Sequence, residues 1–145
     1  MPRLLAPQAS PDDTEAQFYE ALQQGDIDKL MAVWADDEEV VCIPPGGPRL
    51  VGLGAIRAQF AALFAHGSIQ AQPERVRRMH AHDSAVHSVI EQVRVMTEDG
   101  PRSVLVVATN VYVKTALGWR MVCHHASPGS PHEPTEAGEA PTTLH

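Results

Sequence analysis

The amino-acid sequence predicts an α+β domain: a curved, mixed and mostly antiparallel sheet wrapped round three short N-terminal helices, in the order ααβαββββ. Three observations carry this expectation. Apolar residues recur with helical spacing in the first half of the chain. Runs rich in β-branched residues, separated by turn signals, fill the second half. Among them, Val104-Leu105-Val106-Val107-Ala108 is apolar without a break.

The first helix is expected from Pro11 to Gln24. Ser10 suits its cap, Pro11 its first position, and Asp12, Asp13 and Glu15 the positive end of its dipole. Phe18 and Leu22 lie one turn apart on one face. Gly25 stops this helix and Asp26 caps the next, where Ile27, Leu30, Met31 and Trp34 form an apolar stripe. Glu39 to Ile43 reads as a short strand, and Pro44-Pro45-Gly46-Gly47-Pro48 then forbids regular structure. A third helix follows from Gly52 to Ala65, with Leu53, Ile56, Phe60, Leu63 and Phe64 on one face. Four strands complete the domain. Ile69 to Met79 is demoted to an edge or a bulge by Pro73. Ala85 to Met96 and Ser103 to Lys114 flank the turn Glu98-Asp99-Gly100-Pro101, and Trp119 to Ser127 follows Gly118.

Composition narrows the function classes. A chain of 145 residues suits one domain, expected at 12–127, between mobile tails at 1–11 and 128–145 that are rich in proline and polar residues. The net charge of −7 argues against a nucleic-acid groove, which needs clustered Lys and Arg. The N-terminus lacks the apolar core of a signal peptide, and no segment is apolar for the length of a membrane span. Cys42 and Cys123 sit in apolar runs and read as reduced thiols, so a cytoplasmic location is expected. No P-loop, dinucleotide fingerprint or zinc-helix motif is present, and no cofactor or metal is expected. His80 and His82 share a strand face near His87, but they lack the companions of a closed zinc site.

The unbroken apolar run implies that the sheet is covered on both faces at that strand. Three short helices cover one face. The other, convex face is expected to pair with a second copy of the chain, giving a homodimer.

Three stretches resemble a known superfamily. Phe18-Tyr19-Glu20-Ala21-Leu22 with Gly25-Asp26 and Trp34-Ala35-Asp36-Asp37 is similar to its helical hairpin. Gly46 to Gly52 leading into Ala55-Ile56 is similar to its approach to the third helix. Thr109-Asn110-Val111-Tyr112-Val113 with Gly118 to Ser127 is similar to its closing hairpin. The chain thus resembles the SnoaL-like, nuclear transport factor 2-like superfamily of cystatin-like cones. The branch it is most similar to includes the association domain of calcium/calmodulin-dependent kinase II. The resemblance implies a pocket within the cone, but one fold of this kind hosts many activities. Aligned on ketosteroid isomerase, the three catalytic positions fall on Phe18, Cys42 and Val111, none of which supplies the required group. Tyr19 is one residue away, about 100° round the helix.

The resemblance places Trp34, Cys42, Phe60, Thr109, Val111, Cys123 and Ser127 at the pocket, with His125 facing it; in an enzymatic reading His125 serves as general base, joined by Glu91 as an acid if the two share a face. His124, adjacent on the strand, then faces the partner subunit. Asn110 and Tyr112 share a strand face, and Asn110 is expected to serve structure. The expected function is a homodimeric small-molecule binding or association module for a small apolar or carbonyl-containing ligand. The alternatives are an isomerase, lyase or polyketide-cyclase-type enzyme, and a dimerisation hub with a vestigial pocket.

Overall fold

The computed structural model describes residues 9–129 and 137. Most of the two expected tails lies outside the described residues. Helix α1 spans Pro11–Gln24 and begins where its caps place it. The Ser10 hydroxyl accepts from the Asp13 N–H at 3.1 Å. Gly25 ends the helix at φ 65°, in the left-handed region, and its N–H donates to Leu22 O. The buried stripe of α1 is Glu15, Phe18, Tyr19 and Leu22, so its inner face carries a carboxylate as well as rings.

Helix α2 is only Ile27–Met31, capped by Asp26, whose carboxylate accepts from the Lys29 N–H at 3.0 Å. The expected helical stripe breaks before Trp34. Backbone bonds to the last strand capture this segment instead: Met121 N–H donates to Val33 O at 2.7 Å and Ala35 N–H to Met121 O at 2.9 Å. Such a short helix gains little from its own hydrogen bonds and depends on this packing.

Strand β1 (Val41–Ile43) is followed by a turn and by β2 (Leu50–Val51), which folds back onto β1 and adds a strand to the expected order. Helix α3 spans Leu53–Phe64 and buries Ile56 and Phe60. Strands β3 (Gln70–His80), β4 (Ser84–Thr97), β5 (Gly100–Thr115) and β6 (Gly118–Pro128) form an antiparallel meander. The sheet order is β2-β1-β6-β5-β4-β3, with β1 parallel to β6. β3 is an edge strand, as Pro73 requires, and a bulge between Glu74 and Arg77 holds Arg75 at φ 45°.

The sheet curls round the helices, and one core joins Phe18, Leu22, Leu30, Ile56 and Phe60 to Val89, Tyr112 and Met121. Its inner face carries His87 and Glu91 from β4, Val106, Ala108, Asn110 and Tyr112 from β5, and His124 and Ala126 from β6, all buried. The outer face carries Val107, Thr109 and Val111, in register with Ser127, His125 and Cys123. The apolar run on β5 therefore divides. Val106 and Ala108 face the helices, and Val107 looks outward, half-buried. No helix among the described residues is long and apolar enough to cross a membrane.

Candidate functional site

Between the helices and the curled sheet lies an open cavity of about 1030 Å³. Its walls are mostly apolar: Phe18 and Leu22 from α1, Phe60 and Leu63 from α3, and Val93 and Val106 from the sheet. The exposed residues Arg102, Ser103 and Val104 on β5 mark the open side. Two buried polar side chains line it, Glu91 and His124.

A buried hydrogen-bond network supports these two groups. Glu15 Oε2 accepts from Tyr112 OH at 2.7 Å and Asn110 Nδ2 at 3.2 Å, and lies 2.9 Å from His87 Nδ1. Burial pushes the Glu15 carboxyl up, but the bonds from His87, Tyr112 and Asn110 outweigh it and hold the group below the usual carboxylate range. An ionised Glu15 demands donors, so Asn110 turns its amide nitrogen toward it. That nitrogen also donates to Tyr19 OH at 3.2 Å. Burial pushes the Tyr19 phenol well up, so it keeps its proton. It donates that proton to Glu91 Oε2 at 2.6 Å.

The Asn110 carbonyl oxygen then faces His124 Nδ1 at 2.6 Å. A carbonyl only accepts, so Nδ1 carries the hydrogen. Burial, reinforced by the neighbouring His125, pushes His124 down to about 4. The ring is therefore neutral near pH 7 and Nε2 is bare. Among the described residues nothing bonds Nε2, and nothing bonds Glu91 Oε1. Burial pushes the Glu91 carboxyl up, partly offset by the Tyr19 bond. The cavity's polar end thus presents an imidazole lone pair and one free carboxyl oxygen.

The structure sorts the sequence-derived candidates. Phe60 and Glu91 line the cavity. His125 and Ser127 do not face it. They lie on the outer face with Thr109, all three exposed, beside half-buried Val111 and Cys123. The five share one face by the register of β5 and β6, and a slip of one residue moves every side chain of a strand to the other face. His124 occupies the inner position instead, so Glu91 and His125 do not share a face. Trp34 and Cys42 are core residues that do not line the cavity. Cys42 lies opposite His124 in the sheet, and burial pushes its thiol up to about 12, which keeps it protonated. Sequence reasoning missed Glu15, Tyr19 and Asn110 as the supports of the site. The signal was present in the helical spacing of Glu15, Phe18, Tyr19 and Leu22.

Of the aligned isomerase positions, Phe18 lines the cavity, Cys42 is in the core and Val111 is on the outer face. Asp12, Glu15 and His87 offer ligand atoms within 4.8 Å of one another, a spacing open to a metal ion. In this chain those atoms already have partners. Glu15 Oε2 is shared by the three donors named above, and Asp12 is bonded by Arg78 Nε at 2.8 Å. His80 packs edge-on against Trp119, and His82 bonds Asp83 at 2.9 Å.

Comparison with known proteins agrees with this architecture. A search of the curated proteins found no match. A candidate calcium/calmodulin-dependent protein kinase type II association domain from Thiobacillus denitrificans is 37% identical, with a TM-score of 0.76 over 88% of this chain and 100% of that one. A candidate dehydratase of the NTF2-like family from Streptomyces avermitilis is 31% identical, with a TM-score of 0.71 over 79% of this chain and 91% of that one. A CaMKII hub from S. rosetta shares the fold at 23% identity, with a TM-score of 0.67 over 83% of this chain and 98% of that one. The family model of the SnoaL-like domain matches residues 12–131. With the cone, its cavity and this match together, the chain belongs to the SnoaL-like domain family.

Proposed function

We propose that this chain is a small-molecule-binding module. Its ligand would be a small, largely apolar molecule lodged in the cavity with its polar end against Glu91 and His124. The observation that carries this reading is the pairing of apolar walls with two buried polar groups whose free atoms have no partner among the described residues. An open cavity also speaks against a hub whose pocket is vestigial. We further read the module as a homodimer joined through the outer face of the sheet. Val86, Val107 and Val111 are half-buried there, and the relative from Thiobacillus denitrificans is described as an association domain. The two free thiols suit a reducing compartment, in keeping with a cytoplasmic protein.

One observation favours a second reading. Glu91 is a buried carboxyl with raised proton affinity in the same cavity as a neutral histidine, which is the equipment of an acid–base isomerase, lyase or cyclase. The Streptomyces avermitilis relative is described as a candidate dehydratase. In this chain the base would be His124, in place of the expected His125.

Uptake of the neutral apolar dye Nile red tests the binding reading. Wild type should take up the dye and raise its fluorescence. Val104→Trp places a ring at the cavity's open side, from a residue 40% exposed, and should weaken uptake about tenfold. No uptake by wild type, or equal uptake by the variant, refutes the proposal.

A further inference from the structure

The direction of the hydrogen bonds says what kind of head group the cavity accepts. The chain of bonds begins at Glu15, which does not line the cavity. Three donors converge on its Oε2, from His87, Tyr112 and Asn110. This fixes the Asn110 amide with its nitrogen toward Glu15 and its oxygen toward His124. A reversed amide would aim its oxygen at the Glu15 carboxylate, two acceptors face to face. The orientation of Asn110 in turn fixes the hydrogen of His124 on Nδ1, at 2.6 Å from the amide oxygen. The ring nitrogen left over, Nε2, is an acceptor only.

Glu91 adds a second constraint. Its Oε2 is taken by Tyr19 OH, and its Oε1 has no partner among the described residues. When the carboxyl is ionised, the cavity offers two acceptors. When it is protonated, it offers one donor and one acceptor. In both states a ligand must give a hydrogen bond to satisfy His124 Nε2. A ketone only accepts and cannot do so. A carboxylate is worse placed, because of the two formally charged residues that line the cavity, Glu91 is buried and Arg102 is exposed. An anion at the polar end would meet no buried cation.

Resting on the reading of the cavity as a ligand site, we infer that its ligand is an apolar molecule ending in a hydrogen-bond donor, a hydroxyl, whose single hydrogen goes to His124 Nε2, or an amine, which can serve both Nε2 and Glu91 Oε1. This narrows the apolar or carbonyl-containing class expected from sequence to one chemistry.

The test is displacement of Nile red by four probes of equal chain length in mildly alkaline buffer: octan-1-ol, octylamine, octan-2-one and octanoate. The alcohol and the amine should displace the dye at concentrations at least about fivefold lower than the ketone and the carboxylate, the worth of one hydrogen bond. The alcohol and amine arms tell the two donor heads apart. Glu91→Gln keeps the acceptor for Tyr19 and turns an amide N–H₂ toward the cavity. In that variant the ketone should close to within about twofold of the alcohol. A wild-type protein that takes up the dye but yields it to the ketone or the carboxylate at equal or lower concentration overturns the inference and leaves the binding reading standing. Absence of dye uptake removes both.

Discussion

Acidification asks His124 to take up a proton that the folded chain resists. In the unfolded chain the imidazole titrates near 6.5, and in the folded protein burial and the nearby His125 push it down to about 4. Between these values the unfolded state binds more protons than the native state, so stability falls as pH falls. The gap between 6.5 and about 4, at about 1.4 kcal/mol per pH unit, comes to roughly 3 kcal/mol. His124 therefore costs the fold nothing above pH 6.5 and roughly 3 kcal/mol once the pH has reached about 4. The comparison is wild type against His124→Asn, whose amide nitrogen stands where the ring Nδ1 does and donates to Asn110 but does not titrate. Urea denaturation of both proteins at a series of pH values across this window measures the difference. Glu15, held below the usual carboxylate range, contributes stability above 4.5 that is lost as pH falls from there through its folded value. Glu91, pushed up, acts in the opposite sense, its folded carboxyl favouring the proton, so that stability falls as pH rises through its range. Both groups remain in the two proteins and cancel in the difference. Equal acid sensitivity of the two, or a folded-state imidazole that titrates near 6.5 by NMR, refutes the burial of His124 in the cavity wall.

Two further outcomes follow from the same geometry. Glu15→Leu leaves His87, Tyr112 and Asn110 with buried hydrogens and no acceptor, and should cost roughly 3–5 kcal/mol in chemical denaturation; a variant as stable as wild type would show the network to be dispensable. Val107→Glu puts a charge on the outer face of β5 and should shift the protein to monomer mass by light scattering, whereas an unchanged mass would place any self-association elsewhere.

The sequence displayed its local devices openly. Ser10, Gly25 and Asp26 punctuate α1 and α2 through capping bonds that need only neighbouring residues, and Pro73 announces an edge because it lacks a donor. The facing of the closing hairpin was hidden. Alternation tells which residues share a face, not which face is inside. His124 and His125 are the same residue type on opposite faces, and on β5 the polar Thr109 and Asn110 are likewise neighbours. What decides between them is Glu15, almost the whole chain away, whose donors come from β4 and β5. Read along α1, Glu15 suits the helix dipole. Its position one turn before Phe18 and Tyr19 makes it an inward residue, and no local rule ranks the first reading below the second.

The long rim of the sheet, β3, is poorly suited to recruiting another strand. Pro73 withholds an N–H from it, the bulge throws Arg75 into a left-handed turn, and Arg75, Arg77 and Arg78 line it with like charge. Extension of the hydrogen-bond ladder from copy to copy is blocked on this side. At the opposite border β2 has only two residues, too short a template for a neighbour. Neither border of the sheet is thus fit to join copies end on end into a fibre.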